Sequence, residues 1–218
     1  MPEALLTDDD LARTSVFLDF DGTVTVADTG VHVLERLAPA EWRAIGDAYR
    51  RGEIGSRECL LDEWSLLPRD EALVRAAIDE VALDPGARPL VEALHAAGAE
   101  VTIVSDGFGI RVAEVAADLG VEVLSNRVDW EAWRLEFPHE DRCCPCSTCG
   151  TCKQAPLKDA RHRGQRTVLV GDGASDRKAA LLADVVFAKG SLAQWCELTD
   201  VRHHEFERLA DVHRALGL

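Results

Sequence analysis

The amino-acid sequence predicts an α/β fold: a doubly wound, Rossmann-like parallel sheet with a helical cap inserted after its first strand. Short β-branched apolar runs recur along the chain, each followed closely by a glycine. Amphipathic helical stretches separate them, and strands alternating with helices build right-handed crossovers and a parallel sheet. One long helical excursion, between the first and second runs, interrupts that alternation.

The first strand is expected over residues 15–20, ending in Asp21-Gly22-Thr23. The second covers 100–105, stopped by Asp106-Gly107, and the third 167–170, stopped by Gly171-Asp172-Gly173. A fourth covers 185–188. Runs this short and this apolar fit strands buried on both faces. Helices are expected over 89–97, 110–119, 158–162 and 176–183, with extended or hairpin structure over 122–137. In doubly wound sheets ligands bind beyond the carboxyl ends of the strands. Asp19, Ser105 and Asp172 all fall there, and packing gives no reason for polar residues at three such ends.

Residues 1–26 and 84–218 are therefore assigned to the sheet-bearing core and 27–83 to the cap. Val31, Val33, Leu34 and Leu37, then Trp42, Ile45 and Tyr49, then Cys59, Leu60, Trp64 and Leu67 mark successive apolar helix faces. An excursion of this size above the first strand reads as a lid; the alternative is an enlarged core. Trp42 and Trp64 are expected as packing residues of the cap, not as ligand contacts.

The chain has 218 residues, of which 47% are hydrophobic, too many for wholesale disorder. Asp and Glu outnumber Lys and Arg 39 to 24, a formal net charge of −15. A field of that sign repels nucleic-acid backbones and anionic lipid heads, so neither partner is expected. No stretch approaches the roughly 18 apolar residues of a membrane span, and the N-terminus is acidic where a leader would be basic. The expectation is a cytoplasmic protein, monomer or homodimer, acting on a small molecule. An anionic ligand would need a local positive centre or a bound cation.

Asp19-Phe20-Asp21-Gly22-Thr23 is the strongest chemical signal. Two carboxylates so close at a buried strand end repel each other unless a cation lies between them or one is protonated. A hard divalent ion with oxygen ligands, Mg²⁺ above all, meets that need. Phosphate loops of the Gly-x-x-x-x-Gly-Lys-Ser/Thr type and post-strand Gly-x-Gly-x-x-Gly motifs do not occur. Gly107-Phe108-Gly109 reads as a turn whose N–H groups face an anion at the following helix N-terminus.

The Asp-x-Asp-Gly-Thr motif, Ser105, Lys153 and Gly171-Asp172-Gly173-Ala174-Ser175-Asp176, in that order, resemble the haloacid dehalogenase superfamily over nearly the whole chain. The resemblance implies that Asp19 is a nucleophile forming an aspartyl-phosphate and that Asp21 is the acid/base. It implies Mg²⁺ held by Asp19, the Asp21 carbonyl and Asp172, with Asp176 on the metal's water shell or positioning Lys153. Ser105 and Lys153, with the Asp106-Gly107 turn, would hold phosphoryl oxygens. Lys158 is the alternative lysine; Lys153 is favoured because it follows the cysteines in the family manner. Carboxylate attack on a phosphate opposes two anions, so Mg²⁺ and lysine must supply charge compensation. An acid at position 21 implies a phosphatase, or else a phosphomutase, because dehalogenases of the superfamily lack it and its transport ATPases carry Thr.

The helical insertion places the chain near the phosphoserine-phosphatase-like branch. Leu37-Ala38-Pro39-Ala40-Glu41-Trp42, Val128-Asp129-Trp130 and Cys149-Gly150-Thr151-Cys152-Lys153 are similar to the methionine-salvage phosphatases acting on a hydroxy-keto-methylthiopentenyl phosphate. The cysteine-rich run ending in Cys-Lys is also similar to the phosphoethanolamine/phosphocholine phosphatases. Ser105-Asp106-Gly107 departs from the Ser-Gly-Gly of phosphoserine phosphatase. A non-catalytic metal-binding protein is the reading from another class.

Five of the seven cysteines lie between positions 143 and 152. Cys143, Cys146, Cys149 and Cys152 recur at a spacing that can wrap a tetrahedral Zn²⁺, with His139 or Cys144 as a substitute ligand. Reduced thiols and a disulfide are the alternatives. Zinc, or thiol burial, would then fix the loop that carries Lys153. His203, His204 and His213 are expected at the surface.

Overall fold

The computed structural model of the chain describes residues 5–142 and 148–218. A short α1 (Asp8–Leu11) leads into β1 (Thr14–Leu18), after which four helices follow without a strand. These are α2 (Thr29–Leu37), α3 (Trp42–Arg51), α4 (Ser56–Ser65) and α5 (Glu71–Asp79). Alternation resumes with α6 (Ala87–Ala96), β2 (Glu100–Ser105), α7 (Val112–Leu119) and β3 (Glu122–Ser125). An antiparallel hairpin, β4 (Arg127–Asp129) and β5 (Arg134–Glu136), precedes α8 (Gln154–His162), β6 (Arg166–Gly171), α9 (Arg177–Ala180) and β7 (Val185–Ala188). The chain closes with α10 (Gly190–Leu198), β8 (His204–Glu205) and α11 (Leu209–Leu216).

The main sheet runs β3-β2-β1-β6-β7-β8, with every described pairing parallel. β1 is buried throughout and sits between β2 and β6, so Leu18 is in register with Ile103 on one side and Val170 on the other. Side chains alternate across the sheet, as the period of two requires. Val16, Leu18, Val168 and Val170 join α6, α7 and α11 in one apolar layer. Phe17 and Leu169 join α8, α9 and α10 in the other. The three strands that end at the site are thereby clamped from both faces.

The inserted helices form a third cluster. Val33, Leu34, Trp42, Leu60, Trp64, Val74 and Ile78 pack with Phe108, Ile110 and Leu135, which lie outside the insertion. Asp28 caps α2 by accepting from Val31 N–H at 2.8 Å, and Asp70 caps α5 by accepting from Leu73 N–H at 3.0 Å. The entry and exit of the insertion lie side by side. Val26 N–H donates to the Ala82 carbonyl (2.9 Å) and Asp84 N–H to the Val24 carbonyl (2.8 Å). Trp64 ties the helices to the hairpin: its ring lies 4.9 Å from that of Trp133 and 5.5 Å from that of Phe108, and its Nε1 donates to the Trp133 carbonyl.

Several sequence expectations change. The stretch 122–137 is two things: β3 joins the main sheet beside β2, and only residues from 127 onward form the hairpin. The helix expected over 176–183 is a 3₁₀ turn at Ala174–Asp176 followed by the single-turn α9. It stops early because the Asp184 carboxylate accepts from both Thr167 N–H and Thr167 Oγ1, drawing the chain straight into β7. His204 stays partly exposed, half-buried on edge strand β8 with its ring 5.5 Å from that of Phe187. His203 and His213 are likewise half-buried. Among the described residues no helix is long and apolar enough to cross a membrane.

Trp64→Ala should lower the unfolding free energy by about 3–5 kcal/mol, the usual range for a buried tryptophan. Urea denaturation followed by near-UV circular dichroism checks it.

Candidate active site

Asp19 directly follows β1, and its Oδ1 accepts from Phe20 N–H at 2.7 Å. The chain then turns away through Phe20–Val24, with Gly22 at φ 74°. That left-handed conformation suits glycine. Space demands it too, since a Cβ at Gly22 would lie 2.5 Å from Asp172 Oδ2. The turn is what lets the ends of β1 and β6 crowd their acids together.

Asp172 follows β6 and accepts from Thr23 Oγ1 at 2.9 Å. Asp176, wholly buried, folds back so that its Oδ2 accepts from Asp172 N–H (3.3 Å) and Gly173 N–H (3.1 Å). Lys153, at the start of α8, completes the group. Its Nζ lies 2.7 Å from Asp19 Oδ1 and 2.7 Å from Asp176 Oδ1. Lys153, not Lys158, is thus the lysine at the strand ends.

Among the described residues, Asp19, Asp172 and Asp176 bring carboxylate oxygens within 4.8 Å of one another. Burial pushes Asp19 well above the ordinary carboxylate range, Asp176 adds to that, and Lys153 opposes it. Burial and Asp176 likewise push Asp172 up to about 6. Burial works against the Lys153 charge, yet Asp176 and Asp19 outweigh it and hold the ammonium protonated. Three carboxylates against one lysine leave an excess of negative oxygen donors. That donor set fits a hard divalent cation such as Mg²⁺.

Asp21 faces the same space. It accepts from Thr29 N–H (3.2 Å), from Thr29 Oγ1 and from Ser105 Oγ (3.4 Å). Burial raises its pKa and the Thr29 bonds oppose the rise. Ser105, wholly buried at the end of β2, also accepts from Gly107 N–H at 3.2 Å.

Asp106 lines the same space as Asp19 and Asp21, and its carboxylate is hydrogen-bonded to neighbouring elements. Oδ2 accepts from Ser56 Oγ at 2.5 Å and Oδ1 from Thr151 N–H at 2.7 Å. Thr151 Oγ1 donates to Asn126 Oδ1 (3.0 Å), and Asn126 Nδ2 donates to the Gly107 carbonyl (2.7 Å). This network joins α4, the turn after β2 and the segment leading to Lys153. It restrains the segment leading to Lys153, in which Cys152 is also buried. Cys143 and Cys146 lie outside the described residues. Cys149 is half-buried and Cys152 buried, and neither belongs to the described metal-capable cluster. Zinc therefore finds no support. Ser56 and Asn126 gave no sequence signal, because isolated polar residues carry no periodicity, and Thr151 was marked only as part of the Cys149–Lys153 motif.

A cavity of about 250 Å³ lies over these strand ends. Asp19, Asp21 and Asp172 line its floor, while Leu34, Trp42 and Glu63 line it from the insertion. Trp42 is thus both a packing residue and a cavity wall, where the sequence had assigned it only the first role. Burial pushes Glu63 up to about 7, with a hydrogen bond from Cys59 opposing the rise.

Residues 16–181 match the haloacid dehalogenase-like hydrolase family, a span that holds Asp19, Asp21, Ser105, Lys153, Asp172 and Asp176. The 2-hydroxy-3-keto-5-methylthiopentenyl-1-phosphate phosphatase of Geobacillus thermodenitrificans (strain NG80-2) is 30% identical over 205 residues, covering 90% of this chain and 92% of its own. The enzyme of the same name from Exiguobacterium sp. (strain ATCC BAA-1283 / AT1b) is 29% identical, covering 91% and 95%. In fold, the chain is similar to a substrate-bound phosphoserine phosphatase, with a TM-score of 0.70 at 22% identity over 93% of this chain and 97% of that one.

Glu63 gives this site a testable pH dependence. Its folded-state pKa of about 7 exceeds the ordinary value of 4.5, so the folded protein holds the extra proton between those limits. Stability therefore falls as pH rises through that window. Glu63→Gln should melt above the parent at pH 8 and close to it at pH 5, by calorimetry at both values.

Proposed function

This chain belongs to the haloacid dehalogenase-like hydrolases and is a phosphatase, and from that premise we propose that it hydrolyses a small phosphorylated metabolite through an aspartyl-phosphate on Asp19. The observation that carries the reading is the Lys153 ammonium held 2.7 Å from Asp19 while Asp21 faces the same cavity. Asp19 attacks phosphorus. Ser105 Oγ and the Lys153 ammonium hold the phosphoryl oxygens and offset their charge. Asp21, whose raised pKa keeps a proton available, protonates the leaving oxygen. As a carboxylate it then takes a proton from the water that cleaves the acyl-phosphate.

Asp19, Asp172 and the Asp21 backbone carbonyl would hold Mg²⁺, which when bound neutralises the acids and polarises the phosphoryl group. Both Asp176 oxygens are occupied, by Lys153 and by two backbone N–H groups, so Asp176 positions the lysine and completes the acidic surround. Residues 27–83 act as a cap over the strand ends. The chemistry then belongs to the sheet and the choice of substrate to the cap. The likeness to the salvage phosphatases over more than 90% of both chains, as with the Exiguobacterium enzyme, supports a keto-methylthiopentenyl phosphate as the physiological substrate.

Asp19→Asn should abolish turnover of p-nitrophenyl phosphate, and Asp21→Asn should reduce it by about 10²–10⁴-fold. EDTA should remove the activity and added Mg²⁺ restore it. In a panel with phosphoserine and phosphocholine, 2-hydroxy-3-keto-5-methylthiopentenyl-1-phosphate should give the highest kcat/KM. Parent-level hydrolysis by Asp19→Asn would rule out the aspartyl route, and transfer to a second sugar phosphate in place of water would identify a mutase.

A further inference from the structure

A second cavity, about 530 Å³, adjoins the one over Asp19 and has Tyr49, Arg50, Ser56 and Asp106 in common with it. Its wall is drawn from both parts of the fold. The insertion contributes residues 49–56, and the core contributes Gln154 at the start of α8 with Arg177 and Lys178 on α9. Lys153 lies on the same wall.

The carboxylates of this wall are already engaged. Glu53 accepts from Arg51 Nε at 2.7 Å and from Arg51 Nη2 at 2.9 Å. Both Asp106 oxygens accept bonds, from Ser56 and from Thr151. Of the cations, Arg50 is offset by Asp47, and Lys153 by Asp19 and Asp176. Arg177 and Lys178 differ. Among the described residues, neither side chain reaches a carboxylate or donates a hydrogen bond.

Arg177 is the sharper case, half-buried and with its Nε enclosed without an acceptor. A guanidinium partly withdrawn from water, with no counter-charge, carries a desolvation cost that a bound anion would offset. Lys178, the next residue of the same single-turn helix, is exposed and adds a second positive charge to the wall. The half-buried Gln154 amide, likewise without a described hydrogen-bond partner, supplies a neutral donor. A planar guanidinium fork beside an ammonium suits a tetrahedral oxyanion, which the fork binds through two oxygens and the ammonium as a point charge. A phosphatase releases one such anion, inorganic phosphate, into the adjoining cavity.

We propose that the second cavity is a binding site for inorganic phosphate, held by Arg177 and Lys178 and separate from the phosphoryl site at Asp19. The assignment goes beyond the catalytic reading and does not require Asp19 to be the nucleophile. It gives the product a station beside the cap, reached from the strand ends through the wall residues that the two cavities have in common.

Isothermal titration of inorganic phosphate into the Mg²⁺-loaded enzyme tests it, at fixed ionic strength and with beryllium fluoride present to occupy Asp19. One phosphate site should remain. Arg177→Gln/Lys178→Gln should weaken that site by about tenfold or more, the worth of a charge-assisted hydrogen bond. Lys178→Gln alone, at an exposed position that the fold does not depend on, should weaken it several-fold. Arg177→Lys/Lys178→Arg keeps both charges and should retain binding. Chloride at the same ionic strength should not displace the phosphate. No site beyond the one that beryllium fluoride fills would overturn the assignment. So would a remaining site indifferent to all three variants, or one that chloride displaces equally well. Turnover of p-nitrophenyl phosphate, and its loss in Asp19→Asn, decides the catalytic reading independently of this titration.

Discussion

The Lys153 ammonium, buried between Asp19 and Asp176, is the interaction on which the rest of the structure depends. Moving such ions out of water costs several kcal/mol each, and their attraction offsets this only in good geometry with the remaining atoms hydrogen-bonded. The geometry comes from three separate elements: the end of β1, the start of α8 and the turn after β6. Each must arrive in register. The Leu18–Val170 pairing sets Asp19 beside Asp172, and Asp19 N–H donates to the Val170 carbonyl at 2.9 Å. The two apolar layers on either face of the sheet hold that register, so core packing and site chemistry are one constraint seen from two sides.

One lysine does not balance the acids around it. Asp19, Asp21, Asp172 and Asp176 surround a space that must accept a phosphate dianion, and burial has already raised Asp19, Asp21 and Asp172 above their ordinary range. On the proposed aspartyl-phosphate route, protonating Asp19 would spoil the nucleophile, and leaving the acids charged would repel the substrate. A divalent cation held by the carboxylate cluster, as proposed, would resolve the conflict beside the lysine. Holding Lys153 still is then the remaining task. The Asp106, Thr151 and Asn126 bonds perform it by fixing the backbone just before α8 to the turn after β2.

What was legible in the sequence follows from which signals are local. β1, β2, β6 and β7 announce themselves as short apolar runs, and the acids at their ends stand out because polar residues there serve no packing purpose. Lys153 was legible through its order among the motifs. β3 was legible as extended chain within 122–137 but not as a strand of the main sheet, and β8 was not legible: β3 is half-exposed over most of its length and β8 is two residues of polar character, so neither carries an apolar run. The Ser56–Asp106 bond joins residues fifty apart in the chain, and no periodicity marks either partner. The cysteine run is conspicuous by its spacing, and beside the buried Cys152 part of the restraint on Lys153 comes from inconspicuous Thr and Asn side chains. An apolar helix position such as that of Trp42 predicts burial and says nothing of the cavity it also lines.

The net charge of −15 raises a last question, how an anionic ester comes to the site at all. The distribution of charge answers it. The second cavity, about 530 Å³, adjoins the first between the end of α3 and the loop before α8, sharing Tyr49, Arg50, Ser56 and Asp106 with it. Arg50, Arg51, Arg177 and Lys178 line it, with Lys153 on the same wall. Arg50 and Arg51 are partly offset by Asp47 and Glu53. Arg177 and Lys178, on α9, form no ion pair with a described residue. Low-dielectric walls focus the field of whichever charges line a cleft, and here these cations stand against Glu53 and Asp106 on the same lining. On the proposed function, a small phosphate ester would meet these cations on this side, close to the ammonium that holds Asp19.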